Sequence, residues 1–109
     1  MVNREAELDQ VFGALADPTR RSIIATLARG ERTISELAAP LPMSLVAVSK
    51  HVSVLERAGL LTRTRADRAQ VCTLVAAPLA PAARWLDSYQ AFWTSRLDEL
   101  ERHLTAEDQ

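Results

Sequence analysis

The chain has 109 residues, 48% hydrophobic and 25% charged, the make-up of one ordinary globular domain with a modest core. No apolar run reaches membrane-spanning length, the charged start MVNREAELDQ is unlike a secretory signal, and the single cysteine excludes an internal disulfide, so a cytoplasmic protein is expected. The net charge of −1 hides a basic block. Residues 17–70 carry nine basic and five acidic side chains, while the segments before and after are net acidic.

The first helix is expected from Arg4 to about Ala14, with Leu8, Val11, Phe12 and Leu15 on one side. Asp17-Pro18 opens a second helix, Asp as N-cap and Pro at the first helical position, carrying Ile23, Ile24 and Leu27 to a stop at Gly30. Thr33-Ile34-Ser35-Glu36 has the spacing of a capping box and starts a short third helix that ends before Pro40. After the Pro40-Leu41-Pro42 turn, Ser44 caps a fourth helix with an apolar stripe at Leu45, Val48, Val52 and Leu55, ending at Gly59. Leu60 to Arg65 and Gln70 to Val75 read as two strands joined by a hairpin tip at Ala66-Asp67-Arg68-Ala69, which lacks the usual glycine. A last long helix runs from about Ala82 to Leu104; its start is ambiguous because Pro81 would interrupt a helix begun at Pro78.

Third and fourth helices joined by a short turn make a helix-turn-helix, and the hairpin after them a wing. The expected fold is mainly α with a small β-hairpin: a single winged helix-turn-helix domain over 1–109. On the fourth helix, Val46, Lys50, Ser53 and Arg57 point away from the stripe, with Ser49 on the shoulder. A short helix that buries one side and offers serines and the chain's only lysine on the other is suited to the DNA major groove.

The chain resembles the ArsR family of winged-helix repressors. The resemblance rests on Ala14-Leu15-Ala16-Asp17-Pro18-Thr19-Arg20-Arg21, on Ile34-Ser35-Glu36-Leu37-Ala38, and on Val48-Ser49-Lys50-His51-Val52 followed by Leu55 and Ala58-Gly59-Leu60-Leu61. Trp85-Leu86 and Phe92-Trp93 resemble one branch of it, and the likeness spans about Val11 to Leu104. It implies a homodimer on a palindromic operator. Metal-sensing members carry paired cysteines where this chain has Thr33-Ile34-Ser35-Glu36; others hold zinc through Asp-x-His and a second His pair where it has Asp87-Ser88-Tyr89. The expectation is therefore a repressor with no metal and no cofactor. A zinc- or arsenite-sensing repressor and a winged-helix protein-interaction module are the alternatives.

The candidate DNA contacts are Ser44, Leu45, Val46, Ala47, Ser49, Lys50, His51 and Ser53 on the fourth helix, Arg63, Arg65 and Arg68 on the wing, and Arg20. His51 either reaches a phosphate or bonds a nearby backbone carbonyl. Of Arg20 and Arg21, one touches phosphate and the other pairs with an acid inside the domain. Cys72 reads as a buried, inert thiol with no basic residue beside it, a redox switch being the alternative. His103 and Glu107 stand four apart below Asp87, without a clear third zinc ligand. The last helix carries more large apolar groups than one small domain needs. The resemblance implies that helices about 4–14 and 82–104 form the dimer interface, which would take up that surface through Leu8, Val11, Phe12, Trp85, Tyr89, Phe92, Trp93, Leu97 and Leu100. The other outlet for that surface is a pocket for a small apolar effector. No catalytic constellation is present: no phosphate loop, nucleophile elbow or HExxH.

Overall fold

Helix starts in this chain are set by local side chains. Asp17 Oδ2 accepts from the Arg20 N–H at 3.0 Å, with Pro18 in the first turn. Thr33 and Glu36 exchange bonds at 3.0 and 3.1 Å in a complete capping box, and Ser44 Oγ accepts from the Ala47 N–H at 3.1 Å. The computed structural model describes residues 4–107. Their order is α1 (Arg4–Leu15), α2 (Pro18–Leu27), β1 (Arg32–Thr33), α3 (Ile34–Ala38), α4 (Leu45–Arg57), β2 (Leu61–Ala66), β3 (Ala69–Leu74) and α5 (Leu79–Glu107).

The expected elements are present, with two differences. β1 pairs with the outer edge of β3, Arg32 opposite Cys72 and Thr33 opposite Val71, so the sheet has three strands in the order β1-β3-β2. Two residues are too few to display an alternation, which is why the strand is invisible in the sequence. α5 starts at Leu79 and runs through Pro81. Pro81 is the third helical residue, where the backbone N–H has no intrahelical acceptor, so proline removes nothing there.

The core is a single cluster. α1 supplies Val11 and Ala14, α2 Ile23 and Leu27, α3 Ile34 and Leu37, and α4 Val48, Val52 and Leu55; Leu60, Leu61, Cys72 and Ala82 complete it. Val11 is thus an internal residue and not part of an outward dimer face, because it shares the inward side of α1 with Ala14, while Leu8 and Phe12 sit at the half-buried edge. The expected stripe of α4 holds for three of its four members; Leu45 is 53% exposed. Side chains tilt toward a helix's N-terminus, so one in the first turn projects past the helix start rather than onto the core.

α4 passes into β2 without a loop. Gly59, at φ +78°, lets Leu60 N–H reach Leu55 O at 3.0 Å and its own N–H reach Glu56 O at 2.9 Å, the paired bonds of a Schellman ending. The wing therefore begins after only three residues, Ala58, Gly59 and Leu60. α5 joins the core only at its start, through half-buried Leu79 and buried Ala82, with the Trp85 ring edge-on to Phe12 at 5.5 Å. Beyond that, Leu86, Tyr89, Phe92, Trp93, Leu97, Leu100 and Leu104 are all about half exposed or more.

Candidate nucleic-acid interface

The open face of α4 and the wing lie side by side. Between them is a cleft of about 570 Å³, lined among others by Ser35, Leu45, Val46, Ser49, Arg68 and Gln70. Val46 is 66% exposed; Ser44, Leu45 and Lys50 are also exposed, and Ala47 and Ser49 half-buried, so the N-terminal half of α4 carries the outward groups. On the wing, Arg65 and Arg68 are exposed. Lys50, Arg65 and Arg68 thus keep their charges in solvent, where phosphates can meet them.

Of the sequence-proposed contacts, Arg63, Arg20 and His51 are engaged internally, and Ser49 and Ser53 accept from Arg63. Arg63 lies on β2 facing α4, only 16% exposed at the side chain. Its Nη2 donates to Ser53 Oγ at 2.8 Å and meets Glu56 Oε1 at 3.4 Å; its Nη1 donates to Gln70 Oε1 at 3.2 Å and Ser49 Oγ at 3.5 Å. Alternation along β2 places Arg63 and Arg65 on the same face; α4 covers the first and leaves the second open. Glu56 and Gln70 are the polar partners that sequence reasoning passed over. Ser49, Ser53 and Glu56, spaced four and three apart, share one helix face, a pattern that asks for a cation opposite.

Arg20 also faces inward. Its Nε donates to Ala14 O at 2.6 Å and its Nη2 to Gly13 O at 3.2 Å, while Arg21 Nη1 donates to Leu15 O at 2.8 Å. The two arginines donate to carbonyls at the negative end of α1, and the Arg20 charge also lies near the Asp17 carboxylate. His51 Nδ1 lies 3.3 Å from Arg20 Nη1 and 3.8 Å from Asp17 Oδ2, so it joins α4 to the start of α2 through side chains rather than a backbone carbonyl.

The Asp17 carboxyl is held below its ordinary value, first by the Arg20 backbone N–H and then by the nearby His51 and Arg20 charges. Glu36 is lowered mainly by the Thr33 backbone N–H. Cys72 is fully buried, and burial pushes its thiol up despite the pull of Arg63, its cross-strand partner on β2. A basic residue does stand beside it, contrary to the sequence reading, but desolvation outweighs that charge. Among the described residues no three His, Cys, Asp or Glu side chains gather as they would around a metal ion. The suggested His103–Glu107 pairing involves a side chain outside those described.

The helix-turn-helix domain family matches residues 15–64 of the chain, the stretch from the end of α1 into β2. The chain is 42% identical over 89 residues to the HTH-type transcriptional regulator Rv2034 of Mycobacterium tuberculosis, a match covering 82% of this chain and 80% of that protein. It is 28% identical over 79 residues to the transcriptional repressor SdpR of Bacillus subtilis, covering 72% and 88% respectively. The crystal structure of an ArsR family transcriptional regulator superposes with a TM-score of 0.77 at 37% identity, over 87% of this chain and 98% of that one. The fold thus recurs in a relative of nearly the same extent, and the chain belongs to the ArsR-type winged helix-turn-helix transcriptional regulators, DNA-binding proteins and not enzymes.

Proposed function

We propose that the protein is a homodimeric repressor that reads a palindromic operator and takes its signal from something other than a metal. The observation that carries the dimer is the uncovered stripe of α5, in which Trp93 alone is 59% exposed. A monomer leaves that surface in water, at a cost of about 25 cal/mol for each Å² of apolar area. Pairing through α5 and the edge of α1 covers it and sets two copies of α4 apart, to be matched to one DNA turn of roughly 34 Å. Repression is supported by the relation to SdpR. The absence of a metal trigger is supported by Thr33-Ile34-Ser35-Glu36 and Asp87-Ser88-Tyr89 standing where metal-binding members of the family carry ligands.

In this reading Lys50 bonds a guanine edge or a phosphate and Ser49 donates beside it. Val46, Leu45 and Ala47 meet thymine methyls, and Arg65 and Arg68 hold backbone phosphates. The test is fluorescence anisotropy on an operator selected from a random DNA pool. Lys50→Ala is expected to weaken operator binding about ten-fold or more and to relax specificity. Arg65→Ala is expected to weaken all sequences and to reduce the log–log salt slope by about one. Unchanged binding by both variants would refute the assignment.

A further inference from the structure

Counting donors shows what Arg63 does. A guanidinium has five N–H groups and no acceptor. Here the four terminal ones face four acceptors: Ser49 and Gln70 on Nη1, Ser53 and Glu56 on Nη2. The fifth, on Nε, is buried without a partner. No N–H of Arg63 is left to hold a phosphate, and the Glu56 carboxylate sits against its charge.

The acceptors lie on two elements. Three are on α4 and one is on β3, so the β2 side chain ties the recognition helix to both strands of the wing. Among the described residues, and apart from the Gly59 junction, this is the polar tie between the wing and α4. Gln70 is also the cross-strand partner of Arg65, so anchoring Gln70 fixes where Arg65 emerges. Each serine oxygen that accepts from Arg63 keeps its own O–H proton. Ser49 and Ser53 are thereby biased to act as donors toward whatever lies outside: guanine O6 or N7, adenine N7, thymine O4 or a phosphate oxygen, rather than the amino groups of cytosine or adenine.

We infer that Arg63 is a positioning residue for DNA recognition: without touching DNA it sets the wing against α4 and presents Ser49 and Ser53 as hydrogen-bond donors. The inference rests on the proposed placement of α4 and the wing at the DNA. Its core is preorganisation, since groups already held in place lose less freedom on binding.

Arg63→Lys keeps the charge and removes the fork. Its operator affinity should fall about ten-fold while affinity for random duplex stays within about two-fold, with a salt slope within about half a unit of the parent's. Gln70→Ala, at an exposed position, should lower the operator-to-random ratio about three-fold, and it carries the test if Arg63→Lys fails to fold. Arg65→Ala, run beside them, separates the two readings. If it leaves binding to both DNAs unchanged, the proposed interface is what fails. If it weakens both, the clamp is overturned by any of three results: Arg63→Lys affinities equal to the parent's on both DNAs, equal loss on both DNAs, or a slope lower by about one in the neutral Arg63→Gln variant. The first makes Arg63 a bystander, the second a general fold stabiliser and the third a phosphate ligand.

Discussion

Two consecutive left-handed residues, Asp67 at φ 46° and Arg68 at φ 70°, close the wing. A two-residue hairpin loop needs positive φ at both central positions to follow the twist of its strands, and glycine normally takes the second. An arginine held there costs about 1–2 kcal/mol relative to an unstrained conformation. Arg68→Gly is therefore expected to raise stability in urea unfolding by about 1 kcal/mol. The same change should lower affinity for every DNA sequence, separating strain at the tip from its use. The tip was legible in the sequence as a break between two strands, but without glycine its turn type was not. Nor did the strand pattern separate Arg63 from Arg65. Period-two alternation says which residues share a face, and only the position of α4 says which of them is covered.

Elements begin where short-range chemistry tells them to, which is why three helix starts could be read directly. Asp17, Thr33 with Glu36, and Ser44 each satisfy backbone donors within three residues, with no help from the rest of the fold. The same bonds predict acid sensitivity. Asp17 and Glu36 are both lowered from ordinary values of 3.8 and 4.5, because their ionised forms accept backbone N–H bonds in the folded state. A carboxyl lowered on folding adds stability above its unfolded value, and that contribution is lost as pH falls through the folded one. The loss should appear below about pH 4 in thermal melts. The double variant Asp17→Asn, Glu36→Gln keeps the acceptors and removes the titration, so it should lose less melting temperature than the parent between pH 7 and pH 3. Parallel curves would contradict this. What local chemistry could not reveal were features set by distant partners: β1, a strand only because β3 lies beside it, and the carbonyl-capping role of Arg20 and Arg21.

For the molecule as a whole, the total charge of −1 is a poor guide and its distribution a good one. The basic middle segment supplies the exposed Lys50, Arg65 and Arg68, and acidic residues dominate the two end segments. The excess of large apolar groups on α5 was legible as well, because periodicity reports a helix face whether or not anything covers it. What it did not separate was Val11, which belongs to the domain's own interior, from its half-buried neighbours Leu8 and Phe12. The proposed pairing predicts that Trp93→Glu, placing a charge in the stripe, yields a folded monomer by light scattering. Its operator affinity should fall at least ten-fold, since the two half-sites are then bound separately. The parent's melting temperature should rise with protein concentration and the variant's should not.

Cys72 sits at the centre of the sheet with no surface access, and the chain holds no second cysteine. A thiol reagent can reach it only when the sheet parts from the helices above. Each molecule thus holds a built-in counter of its own openings, and the rate at which that sulfur is captured measures how often the reading head comes apart.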